Sequence, residues 1–139
     1  MIREKPIKHD IMALLPEVEY YLRKRGDVLF GYLFGSFARG KTTALSDVDI
    51  AVYLSGSDFS NKRIDIIGDL MDILKTEEVD LVILNTAPVA LRMRILRNKR
   101  LLADMSPFVR HSFESSTIRS YFDFSKAESK ILEERYLNG

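Results

Sequence analysis

Gly35 and Ser36 are followed, after ten residues, by Asp47-Val48-Asp49, and this spacing joins two kinds of chemistry. A glycine placed after a strand turns the chain sharply and lets a ligand come close to the backbone. The neighbouring serine adds a hydroxyl and a backbone N–H. If Phe37-Ala38-Arg39 begins a helix, its free N–H groups favour a phosphate at the same place. Arg39 adds a fixed positive charge suited to phosphate oxygens. Asp47 and Asp49 open the apolar run Asp47-Val48-Asp49-Ile50-Ala51-Val52-Tyr53-Leu54. As a strand, that run sends both carboxylates to one face and Val48, Ile50 and Val52 to the other. Carboxylates side by side repel unless something positive lies between them, and an oxygen-only ligand set favours Mg²⁺ or Mn²⁺. Together these parts are suited to hold a nucleoside triphosphate with its metal.

Asp80 is a third carboxylate, set between Val79 and Leu81 in an otherwise apolar strand. An unpaired charge buried there costs several kcal/mol, roughly. It therefore reaches the sheet edge or shares a cation with the first pair. If its strand lies beside that of Asp47 and Asp49, the three carboxylates meet on one face, where Asp80 is placed to take a proton from an attacking hydroxyl.

The elements that must position these groups alternate along the chain. Ile7, Ile11, Leu14, Leu15, Val18, Tyr21 and Leu22 have helical spacing, which predicts a helix over residues 8–25, kinked or divided at Pro16 and stopped by Gly26. Val28–Phe34 reads as a buried strand, 36–40 as a turn with at most one helical turn, and Val48–Leu54 as the second strand. Ile64, Ile67, Leu70, Met71 and Leu74 predict a helix over 60–75. Val79–Leu84 is the third strand, Pro88 opens a helix carrying Leu91, Ile95 and Leu96, and 100–103 forms a short edge strand. Ser106 and Pro107 read as the cap and first position of a C-terminal helical region over 106–137. The expected fold is α/β (α+β), a single domain over 1–139 built on a small mixed sheet flanked by helices. Ligands in such sheets gather at strand ends, where Gly35, Asp47 and Asp80 lie.

Composition narrows the classes. The chain has 139 residues, 46% of them hydrophobic, enough for a core. Cysteine is absent, which excludes disulfides, thiolate catalysis and cysteine-held metals. No apolar run approaches the ~20 residues of a membrane span, and the N-terminus has no signal-peptide core, so a cytoplasmic protein is expected. A net charge of +1 gives no general field for nucleic acid. The basic run from Arg92 to Arg100 reads as the solvated face of a helix, compatible with contact to an acidic partner or a triphosphate. His9 and His111 lack metal-ligand spacing. Phe108, Phe113, Tyr121, Phe122 and Phe124 read as core, or as cover for a protein interface.

Leu33-Phe34-Gly35-Ser36-Phe37-Ala38-Arg39-Gly40, with Ser46-Asp47-Val48-Asp49-Ile50 and Val79-Asp80-Leu81-Val82, resembles the signature of the nucleotidyltransferase superfamily that includes DNA polymerase β. Within it, the chain is similar to the minimal nucleotidyltransferases. The resemblance implies the polymerase β-like fold and a triphosphate gripped at Gly35 and Ser36, with Arg39 and Ser46 beside them. It implies Asp47, Asp49 and Asp80 as ligands of two Mg²⁺ ions, with ATP as substrate and pyrophosphate as product. Minimal members stand beside a HEPN-type toxin as its antitoxin, and some transfer AMP to a toxin tyrosine. The expected partner is therefore a HEPN toxin. The alternatives are a transferase acting on a small molecule such as an aminoglycoside, and an antitoxin that neutralises by contact alone.

Overall fold

The computed structural model describes residues 10–43 and 46–137. Nine elements follow in the order α1 (Ile11–Lys24), β1 (Val28–Phe34), α2 (Gly35–Arg39), β2 (Val48–Leu54), α3 (Phe59–Leu74), β3 (Val79–Ile83), α4 (Val89–Arg97), β4 (Lys99–Asp104) and α5 (Pro107–Leu137). The strands form one sheet in the order β3-β2-β1-β4. β3 runs parallel to β2, while β1 is antiparallel to both of its neighbours. The sheet is therefore mixed, as the alternation of elements predicted.

Each face of the sheet is covered by helices. On one side, Leu15, Val18 and Leu22 of α1 and Ile66, Leu70 and Leu74 of α3 pack on Val48, Ile50, Val52 and Leu81. On the other, Ile95 of α4 and Phe113 of α5 pack on Phe30, Tyr32, Phe34 and Ala51, with Tyr53 and Val82 at the margin. Period-two alternation along β2 and β3 accounts for the division. It also assigns Asp49 and Asp80 to the α4/α5 face, since Asp49 alternates in step with Ala51 and Tyr53, and Asp80 with Val82.

Several expectations are corrected. Pro16 does not divide α1, which runs unbroken over 14 residues. Pro16 and Met12 both face solvent, so the carbonyl deprived of its donor is open to water, while buried Leu15, Val18 and Leu22 hold the helix to the sheet. Ile7 and His9 lie outside the described residues. Gly26 ends α1 as expected, with φ of +84°. In α3 the buried stripe is Ile66, Leu70 and Leu74, and Ile64 points to solvent at 65% exposure. Of the α5 aromatics, Phe113 is core, whereas Phe108 in the first turn and Phe122 and Phe124 in the outer half are exposed. Among the described residues, no helix is long and apolar enough to cross a membrane.

Candidate active site

β1 delivers the Gly-Ser turn. The strand ends at Phe34, and α2 begins at once with Gly35 at φ +70°. Gly40, also at φ +70°, ends this single short helix by donating its N–H to the Ser36 carbonyl. Gly35 is required twice over. Its conformation is one that L residues avoid, and a Cβ there would collide with Asp49 Oδ2, so the carboxylate would have to shift. The missing side chain is thus the space the Asp49 carboxylate occupies, a tighter constraint than the ligand approach read from sequence.

β2 and β3 deliver the acids. Phe34 of β1 pairs with Asp49, and Asp49 pairs with Asp80 across the parallel β2–β3 ladder. Parallel partners lie about 4.8 Å apart and point the same way, so the two carboxylates are neighbours on one face. Asp80 sits on the edge strand with its side chain exposed. The edge position, one of the two outcomes expected for an acid in an apolar strand, relieves the desolvation cost. Asp47 is exposed just before β2 begins.

Asp49 registers the whole cluster. Burial first, then the charges of Asp80 and Asp47, push its carboxyl up from the usual 3.8 to about 6, while Arg94 and Arg39 pull it back. Among the described residues, no group of three acid or histidine side chains is gathered tightly enough to hold a metal ion as it stands.

Next to the acids is a cavity of about 320 Å³, lined by Phe34, Gly35, Ser36, Arg39, Asp49, Arg94 and Asn98. Four of the residues read from sequence therefore line one cavity: Gly35, Ser36, Arg39 and Asp49. Asp47 and Asp80 flank Asp49 without lining it. Ser46 does not line the cavity, and its hydroxyl accepts the Thr43 N–H at 2.8 Å. Arg94 and Asn98 were missed as site residues. The basic run from Arg92 to Arg100 reads from sequence as compatible with contact to a triphosphate, but nothing in it singles out Arg94 or Asn98, which lie four apart at the end of α4. They reach the cavity because Lys99, the first residue of β4, pairs with Phe34. Two arginines beside the Asp49 carboxylate can bind a polyanion.

The family model for Polymerase beta, Nucleotidyltransferase matches residues 17–107. A crystal structure of a toxin–antitoxin with AMP-PNP resembles the chain at a TM-score of 0.70 and 25% identity, covering 85% of this chain and 96% of that one. A mutant of the toxin–antitoxin pair MntA-HpeT gives a TM-score of 0.69 and 26% identity, over 85% and 94% of the two chains. A structure of tri-AMPylated Shewanella oneidensis HEPN toxin in complex with MNT antitoxin gives 0.69 and 22%, over 90% and 98%, a likeness of fold. No curated protein sequence matches. The family model spans most of the chain, from α1 to the start of α5, and the chain belongs to the polymerase β nucleotidyltransferase family.

Proposed function

We propose that this nucleotidyltransferase moves AMP from ATP to a hydroxyl, a tyrosine of a HEPN-type toxin, and acts as the toxin's antitoxin. The observation that carries the assignment is the close fit of Gly35 against the Asp49 carboxylate, with Asp80 paired beside it and a cavity lined by two arginines next to it. The neighbours support the nucleotide and the partner: one was solved with AMP-PNP, and another contains a tri-AMPylated HEPN toxin.

The donor set fits magnesium. It is made of carboxylate oxygens alone, and burial, then the charges of Asp80 and Asp47, raise the Asp49 pKa, a cost that a divalent cation relieves. Asp47, Asp49 and Asp80 would hold the ions. When bound, magnesium neutralises phosphate charge and favours ionisation of the attacking hydroxyl. Gly35 and Ser36 present backbone and hydroxyl donors to the triphosphate, and Arg39 contributes charge. The hydroxyl oxygen forms a bond to the α-phosphorus, and its proton passes to Asp80. The bond from the α-phosphorus to the bridging oxygen breaks, and pyrophosphate leaves with the electron pair. ATP as substrate implies a cytoplasmic setting.

Labelled ATP, magnesium and the product of the neighbouring gene test this directly. Label on a tyrosine of that protein, lost in Asp47→Asn, is the expected result. A stable unlabelled complex, with neutralisation that survives Asp47→Asn, would replace it with antitoxin action by contact. Label found only on an added aminoglycoside would replace it with small-molecule transfer.

A further inference from the structure

The basic residues of α4 and the start of β4 are not equivalent. Arg92 donates to the Asn85 carbonyl at 2.9 Å and lies over the Phe113 ring. Arg97 donates to the Tyr121 hydroxyl at 3.2 Å and lies over its ring. Lys99 pairs with Glu114 at 3.9 Å, and Arg100 with Glu19 at 3.9 Å. Among the described residues, Arg94 alone of this run has neither a hydrogen bond nor an ion pair, and it lines the cavity beside Asp49. Asn98, one helical turn on, lines the same cavity, and its side-chain amide likewise makes no hydrogen bond among the described residues. Ser36 and Arg39, which line the cavity from α2, are alike in this. Four polar side chains with unspent donors therefore converge on one space.

The position of that space relative to the acids is informative. The sheet order is β3-β2-β1-β4. The cavity is lined from β2, from the end of β1 with α2, and from the α4–β4 junction, and by nothing from β3. Asp80 lies on β3, on the other side of Asp49. Phosphoryl-type transfer sets the attacking and leaving oxygens in line, on opposite sides of the phosphorus. With a proton acceptor on the β3 side, the leaving group departs on the β1/β4 side.

We propose that Arg94 and Asn98 form a pyrophosphate subsite, holding the two phosphates of ATP that are not transferred, while the acceptor hydroxyl enters over the β3 edge. The proposal rests on the nucleotidyl-transfer reading above. Arg94 offers a planar fork of donors suited to phosphate oxygens, and Asn98 offers an amide N–H beside it. Arg39 lines the same cavity from α2, so two guanidinium groups serve the leaving group, where its growing charge is stabilised.

Titration calorimetry with Mg·ATP, magnesium pyrophosphate and AMP reads the subsite without turnover. Arg94→Gln is expected to weaken ATP and pyrophosphate roughly ten-fold or more, as for the loss of a charge-assisted hydrogen bond, and to leave AMP within about two-fold. Arg94→Lys should recover part of the loss, and Asn98→Ala should show the same selectivity to a smaller degree. Arg97→Gln, whose side chain is spent on Tyr121, should bind all three ligands as the parent does. Equal binding of ATP by the parent and Arg94→Gln overturns the subsite while leaving nucleotidyl transfer intact. An equal loss for AMP and pyrophosphate overturns it too, by showing a merely structural role. No ATP binding by the parent protein overturns the functional reading and the subsite with it.

Discussion

At Asp49, stability and function oppose each other. In the metal-free protein its carboxyl sits at about 6 against the usual 3.8, because it is partly buried beside Asp80 and Asp47. Between those values the folded chain holds more protons than the unfolded chain. The Asp49 contribution to stability is therefore fully present below about pH 4 and is lost as pH rises through 6. Asp49→Asn removes that slope. Urea melts of the metal-free protein should show the variant about 1 kcal/mol more stable at pH 7, a modest gain because solvent screens a half-exposed carboxylate, and no gain at pH 4. Transfer should be lost in the same variant. A variant less stable at neutral pH would contradict the crowding of charge.

Gly35 and Gly40 make a matched pair for the same site. Both have φ of +70°, but only Gly35 has Asp49 where a Cβ would go, and a Cβ at Gly40 would meet nothing within 4 Å. Alanine at either position should cost about 1 kcal/mol of backbone strain. Gly35→Ala should in addition displace the carboxylate and reduce turnover at least ten-fold, while Gly40→Ala stays close to the parent. Melting curves and transfer rates on the two variants decide this; equal losses of turnover would rule out the steric account.

Among the elements, α5 is divided by what lies under it. Phe113 and Thr117 are buried, Tyr121 is partly covered, and residues 122–133 are exposed throughout. Isolated helices of this length are marginal in water. Amide exchange should therefore be slow over 109–117 and fast beyond 124, and Phe113→Ala should cost about 3–5 kcal/mol, against under 1 for Phe124→Ala. Uniform protection along the helix would show that the outer half packs after all. The same division explains what the sequence could convey. Each strand and helix was legible from apolar period and capping residues, to within a residue or two at most ends. The exposure of Phe108, Phe122 and Phe124 was not, because a row of aromatics on a helix has the same pattern with or without a sheet beneath it. Ile64 was misplaced for a related reason: Ile64 and Ile66 offer two competing stripes, and only packing against the sheet selects the second.

In the molecule as a whole, the acids were legible and one wall of the cradle was not. Gly35 directly follows β1, Asp49 lies on the next strand, and Asp47 and Asp49 are two residues apart, so sequence distance is a fair guide to space. Arg94 and Asn98 depend on β4 pairing with β1 on the side away from β2, a choice between sheet edges that no local pattern encodes. The assembled site carries opposed charges, with arginines on the walls and carboxylates on the floor. ATP without a divalent ion brings about four negative charges toward that floor, and the carboxylates repel it at the separation where Coulomb energy in a partly dry site is greatest. Magnesium removes the conflict from both sides. Ligand-linked stabilisation should then depend on the pair: ATP at about 100 times its dissociation constant adds about 2.7 kcal/mol, raising the melting temperature by several degrees with magnesium present. EDTA should abolish most of that shift, Asp49→Asn should lose it at any magnesium concentration, and magnesium without ATP should move the melt only slightly. An ATP-induced shift of the same size with and without magnesium would place the triphosphate away from the acids.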